Sequence, residues 1–162
     1  MERVAVDDVE PDGRRAGRRR LTDALATTDL ALNRYDLDPG DPIGGGYHTH
    51  HDQEEVFYVV EGTATFETED GDVEVEAGEA IRFAPGEFQW GYNAADAAGP
   101  LVALGIGAPR EGGEVEAVRE CVDCGKAFRH RRPTLVGADR PDELSVACPD
   151  CGGETRRIGR PD

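Results

Sequence analysis

The sequence predicts an all-β protein: a sandwich or closed barrel with a small cysteine-bearing module behind it. Three observations predict this. Short runs rich in β-branched and aromatic residues recur between turn signals about every 8–12 residues, the pattern of sandwiches and barrels. No stretch carries a convincing amphipathic helical period. All four cysteines fall in two Cys-x-x-Cys pairs, Cys121/Cys124 and Cys148/Cys151.

The strands are read in chain order. From residue 27 the chain looks extended: Leu30 and Leu32 alternate with polar neighbours, and Tyr35 and Leu37 continue after a change of phase. Pro39, Gly40, Asp41 and Pro42 interrupt the run. Strands are then expected at Glu55–Val60, Thr63–Thr68, Val73–Glu76, Ala80–Phe83 and Leu101–Ile106. Gly62 separates the first two, and Asp70-Gly71 between two alternating runs is a hairpin signal. About ninety residues suffice for a small barrel.

Charge divides the chain. It carries 34 acids against 18 bases, a net charge of −16. Lys126 is the only lysine. Residues 21–118 hold 21 of the acids and only Arg34, Arg82 and Arg110 as bases, whereas the C-terminal stretch and the first twenty residues are nearly balanced. The expected organisation is an N-terminal arm over 1–20, a barrel over 21–112 and a module over 118–162, joined by a short Gly-Glu linker. Acid excess with almost no lysine suggests adaptation to high salt, where the Debye length shrinks to about 3 Å at 1 M and self-repulsion costs little. An acidic barrel disfavours nucleic acid as a partner, since phosphates are repelled. The arginines of the arm are expected to pair with acids of the same protein. No apolar stretch approaches the length of a membrane span, and MERVAVDDVE has no apolar leader core, so a cytoplasmic protein with no membrane partner is expected.

Chemistry concentrates at His48-Thr49-His50-His51-Asp52-Gln53-Glu54-Glu55. Side chains alternate across a strand, so His48 and His50 share a face. Two adjacent imidazoles can chelate a divalent ion, and a carboxylate a few residues on, after a turn, completes a set of two nitrogens and one oxygen. Such a set leaves open positions and suits Fe(II), Mn or related ions.

The spacing His48-x-His50, four residues, Glu55, six residues, Gly62 resembles the first motif of the cupin superfamily. Gly78, five residues, Ala84-Pro85-Gly86, two residues, Gln89, three residues, Asn93 resembles the second, with the proline displaced by one position. The chain is similar to small acidic cupins of halophilic archaea. The resemblance implies a cupin-type jelly-roll barrel with a metal or ligand site at His48, His50 and Glu55. It places Gln89 where the family has a fourth ligand histidine, and it implies pairing into a homodimer. The barrel ion would be a divalent metal such as Fe, Mn, Ni or Zn. An amide oxygen is a weaker ligand than imidazole, so Gln89 either binds weakly through oxygen or hydrogen-bonds a ligand or metal-bound water. His51 is expected to point away, and Glu54 is the second-choice carboxylate. With Glu55 inward, parity turns Phe57 and Val59 inward and leaves Val56, Tyr58 and Val60 on an outer face that needs a cover. Tyr47, Phe57 and Phe83 are candidate pocket walls.

In the C-terminal module each Cys-x-x-Cys pair is followed by glycine, Gly125 and Gly152, and 23 residues separate the pairs. Two tight turns with four thiolates make a closed tetrahedral set, so Cys121, Cys124, Cys148 and Cys151 are candidate zinc ligands; iron is the chemical rival. The region resembles a zinc ribbon. Its few large apolar residues, Phe128, Leu135, Val136, Leu144, Val146 and Ile158, imply that metal supplies much of its folding free energy. Arg129, Arg131, Arg132, Arg156 and Arg157 are read as docking onto the acidic barrel, and His130 as exposed. Three functions are weighed: a cupin that binds a small molecule or divalent metal, a metal-dependent oxygenase or isomerase, and a nucleic-acid-associated regulator using the ribbon.

Overall fold

A computed structural model describes residues 1–13, 17–133 and 146–161, without the side chains of residues 132 and 133. Arg14, Arg15, Leu135, Val136, Leu144 and the side chain of Arg132 therefore lie outside the described residues. The strands are β1 (Arg18–Arg20), β2 (Ala31–Leu37), β3 (Pro42–His50), β4 (Glu54–Glu61), β5 (Thr63–Thr68), β6 (Gly71–Glu76), β7 (Ala80–Phe83), β8 (Gln89–Tyr92), β9 (Leu101–Ala108), β10 (Glu114–Cys121), β11 (Ala127–Pro133) and β12 (Thr155–Arg157). Two antiparallel sheets, ordered β1-β2-β9-β4-β7 and β11-β10-β3-β8-β5-β6, form the jelly roll, and β12 lies along β10. Helix is confined to a turn at Val6–Asp8 and to α1 (Leu21–Ala24) among the described residues.

The expected strands occur, with Asp70-Gly71 at the turn joining β5 to β6. Period-two patterning explains the core. Tyr35, Leu37, Ile43, Phe57, Val59, Ala64, Phe66, Val75, Phe83, Leu101 and Ala103 are buried together between the sheets. Phe66 is fully buried and sits 5.2 Å from Phe57 and 5.4 Å from Phe83, centroid to centroid. Each such ring contributes about 1.5–3 kcal/mol by leaving water. The outward set from β4 differs: Tyr58 and Val60 remain 41% and 45% exposed, whereas Val56 is half-buried.

Two stretches differ from the sequence reading. Arg18–Arg20, expected in an extended arm, adds β1 to the edge of β2. Its arginines pair with Asp12, Asp36 and Asp23, as local charge pairing requires. The stretch after Gly113, read as a linker, is β10, which pairs with β3 on one side and β11 on the other. The reason is alternation hidden by acids: Val115 and Ala117 face one way, while Glu116 and Val118 face the other.

The C-terminal segment is fastened to the barrel. Tyr47, Phe88 and Val118 form a second apolar cluster with Trp90 and Ile158. Arg129 lies 4.4 Å above the Phe88 ring and pairs with Glu69, and Arg160 pairs with Asp72. Of the other module arginines, Arg131 binds Glu114 and Glu116, Arg156 binds Glu120, and Arg157 donates to the Gly45 carbonyl. His130, expected exposed, is half-buried.

Candidate functional site

β3 carries His48 and His50 on one face, as period-two geometry demands. His48 lies between Gln89 of β8 and Ala117 of β10, and His50 lies opposite Val115. β4 brings Glu55 to them after the turn at 51–53. One donor atom from each of His48, His50 and Glu55 lies within 4.8 Å of the other two. The imidazole rings stand edge to face, centroids 5.3 Å apart. His50 Nε2 is 3.7 Å from Glu55 Oε1. That is too long for a hydrogen bond, yet within the roughly 4.2 Å that two donors can span on one ion, each about 2.1 Å away.

Hydrogen bonds prepare these groups. His48 Nδ1 donates to the Gly46 carbonyl at 2.8 Å, which puts the ring proton on Nδ1 and the lone pair on Nε2. Gln89 is 2% exposed, and its Nε2 donates to Glu55 Oε2 at 2.9 Å. The amide orientation follows from that bond, since turning the carbonyl toward the carboxylate would place oxygen against oxygen. Gln89 Oε1 and His50 Nδ1 are then buried without a hydrogen-bond partner among the described residues. Orphaned polar atoms beside three converging donors fit a site built for a metal or a polar ligand.

The neighbouring candidates are sorted by strand parity. Phe83 is the register partner of Glu55, and Phe57 follows Glu55 by two residues; both lie in the barrel core beneath the site. Tyr47 does not line the site. It sits on the opposite face of β3, its ring 5.3 Å from Phe88, because alternation turns it away from His48. His51 points away as well, with Nε2 2.9 Å from Glu116, and Glu54 is taken by Arg82 at 2.7 Å. Gln53 was not legible as a site neighbour. It is 7% exposed and donates to the Pro109 carbonyl. A Cβ on Gly112 would meet both Gln53 and His50 Nδ1 at 3.2–3.3 Å. A glutamine in a polar turn carries no sequence signal of burial.

Glu116 is a buried acid, 4% exposed, opposite Thr49. Burial pushes its carboxyl up, but hydrogen bonds from Arg131 and His51 outweigh this and hold it below its ordinary value.

The four cysteines converge at the far end of β10. Their sulfurs lie within 4.8 Å of one another, with Cys121–Cys151 at 3.5 Å and Cys124–Cys148 at 3.8 Å. Sulfurs about 2.3 Å from a tetrahedral ion are about 3.8 Å apart, so the spacing suits one. The two knuckles share one turn. Gly125 N–H donates to Cys121 O and Gly152 N–H to Cys148 O, each at 2.9 Å. Both glycines have φ near +70°, at 71° and 73°. The thiols titrate far apart. The Cys124 N–H donating to its sulfur brings Cys121 down to about 7. The Gly153 N–H favours the Cys151 thiolate, but crowding by the Cys121 sulfur and burial outweigh it and push Cys151 up to about 12. Four thiolates at this spacing repel, and a dication is the natural counter-charge.

The two antiparallel sheets make a jelly roll, the fold of solved cupin structures. Residues 33–106 match the model of the cupin domain. Solved structures agree. The polyketide cyclase RemF from Streptomyces resistomycificus is 26% identical, with a TM-score of 0.58 over 71% of this chain and 83% of its own. A sugar phosphate isomerase from Silicibacter pomeroyi is 19% identical, with a TM-score of 0.58 over 80% and 92%. A predicted oxalate decarboxylase from Thermotoga maritima is 21% identical, with a TM-score of 0.56 over 66% and 98%. No curated protein matches the chain. No described helix is long and apolar enough to cross a membrane.

Proposed function

We propose that this protein binds a divalent metal ion in the barrel through His48, His50 and Glu55, and a small polar molecule at the positions the ion leaves open. The observation that carries this is the convergence of three donor atoms within 4.8 Å, with Glu55 braced by Gln89. A two-nitrogen, one-oxygen set suits Fe, Mn, Ni or Zn. The ion would supply Lewis acidity. The chain's own residues do the rest: Gly46 holds the His48 tautomer, Gln89 orients Glu55, and Phe57 and Phe83 close the floor. The cysteine cluster holds a structural zinc ion. Elemental analysis of the purified protein tests both claims. Two ions per chain are expected, one of them lost in the His48→Ala/His50→Ala variant. A single zinc unaffected by that variant sinks the barrel assignment.

A second reading is a metal-dependent enzyme, either an oxygenase or an isomerase. It is favoured by the open coordination positions and by the likeness to RemF, a polyketide cyclase. Turnover by the loaded protein that is lost in Glu55→Ala would establish it. The exposed Tyr58 and Val60 support a homodimer built on the outer face of β4. Sedimentation of Tyr58→Glu as a monomer, against a wild-type dimer, tests this. Pairing of Arg129 with Glu69 and of Arg160 with Asp72 supports docking onto the acidic barrel rather than nucleic-acid binding as their role. Four cysteines gathered as a metal-type cluster rather than as a disulfide framework support a cytoplasmic setting.

A further inference from the structure

The two candidate metal sites are joined by one continuous path of backbone. β10 carries Ala117 opposite His48 and Val115 opposite His50, and four residues after Ala117 it ends on Cys121. β12 pairs with that same end of β10, placing Thr155 opposite Cys121 and Arg157 opposite Arg119. Two bonds tie its approach to the knuckles: Cys148 N–H to Gly153 O and Val122 N–H to Glu154 O, both 2.9 Å.

Beyond the knuckles, β12 grips β3 just ahead of the histidines. Tyr47 N–H donates to Ile158 O at 3.0 Å, and Arg157 Nη1 donates to Gly45 O at 2.8 Å. Gly46 lies between these contacts with φ +101°, and a Cβ there would sit 3.0 Å from Arg157 Cβ and 3.2 Å from Ile158 O. Its conformation and its lack of a side chain are both required. The carbonyl of this same Gly46 accepts the bond from His48 Nδ1. The cysteine knuckles therefore reach, through β12, the group that selects the His48 tautomer.

Energetics make the path two-state in character. β12 has three residues and none is buried. A strand so short cannot pair stably on its own. The barrel core, by contrast, is built from residues 35–103 and does not draw on β12. Releasing the knuckles would remove the bonds that tie its approach and leave β12 held by Ile158 and by the Arg156, Arg157 and Arg160 contacts alone, with the barrel still packed.

We propose that metal occupancy of the cysteine cluster regulates the barrel site: with the cluster loaded, β12 holds residues 45–47 and fixes His48 for binding, and with it empty the barrel site loosens. This rests on the barrel-metal reading above. By linkage, an ion in the barrel tightens the cysteine site by the same factor.

The test uses the full chain with Mn(II) as the barrel probe, since thiolates disfavour it. Protein carrying one equivalent of zinc, protein stripped by a chelator, and stripped protein given back one equivalent of zinc are compared; zinc is kept stoichiometric because thiolates take it first and an excess would displace Mn(II) from the barrel donors. Mn(II) affinity is read by titration and the His48 tautomer by nitrogen-15 resonance without Mn(II). Loaded protein is expected to show one Nδ1–H tautomer and roughly tenfold tighter Mn(II) binding than stripped protein, restored by zinc. Cys148→Ser/Cys151→Ser should resemble the stripped state. Arg157→Ala, which retains zinc, should lose severalfold in affinity. An unchanged tautomer with Mn(II) affinity within twofold across the loaded and stripped states overturns the proposal. Should stripping unfold the chain, unchanged tautomer and affinity in zinc-loaded Arg157→Ala overturn it instead. Absence of Mn(II) binding in every form refutes the barrel-metal reading, and the His48 tautomer then decides the coupling by itself.

Discussion

Replacing Gln89 by leucine separates a role in the site from a role in the fold. The side chain is 2% exposed and makes one bond, from Nε2 to Glu55 Oε2 at 2.9 Å; its Oε1 has no described partner. A hydrogen bond to a charged group contributes about 1.5–3 kcal/mol, and losing a partner that orients a metal ligand costs about 10–100-fold in affinity. For the fold the terms oppose one another. Leucine fills a similar volume, removes the orphaned Oε1, and leaves Glu55, whose side chain is 21% exposed, to take water in place of the amide. Gln89→Leu should therefore lower Mn(II) or Co(II) affinity by about 10–100-fold while changing unfolding free energy by no more than about 1 kcal/mol. Calorimetric titration and urea denaturation measure the two. The reverse result, affinity within twofold and a loss of several kcal/mol in stability, would show that Gln89 is a packing residue and refute this reasoning. Gln89→His, which adds an imidazole, should instead raise affinity.

Phe66→Ala, which empties the centre of the aromatic core, should cost about 3–5 kcal/mol, seen as a lower urea midpoint with an unchanged slope. Glu116 is held below its ordinary value, so its contribution is present above the unfolded carboxylate range and is lost as pH falls through the folded value. Glu116→Gln should lower stability by about 1–3 kcal/mol at pH 7 and flatten the fall in stability below about pH 4.5, both read from denaturant midpoints against pH. Equal losses for Glu116→Gln at pH 3 and pH 7 would contradict this. Raising NaCl from 0.1 to 1 M shortens the Debye length from about 10 to 3 Å and screens the net charge of −16, so the melting temperature should rise.

The sequence by itself determined what is local or periodic. Alternation marked the strands and turned Phe57 and Val59 inward, because a strand has only two faces and one of them is dry. The shared face of His48 and His50 was legible for the same reason, the choice of Glu55 only through the resemblance to the cupin motif, and the paired cysteine turns because their geometry lies within a few residues. What depended on contacts across the chain was not. β10 was hidden because its acids read as solvated linker, whereas Glu116 is buried by Arg131 of β11 and His51 of the turn after β3. Tyr47 was read as a pocket wall, but alternation turns it away from His48, and the arrival of Phe88, Val118 and Ile158 covers it there. The bond from Gln89 to Glu55, and the route from the cysteines through β12 to Gly46, join residues 34 and more than 100 positions apart. Such pairings are chosen by the closure of the sheets, which no local preference of either residue encodes.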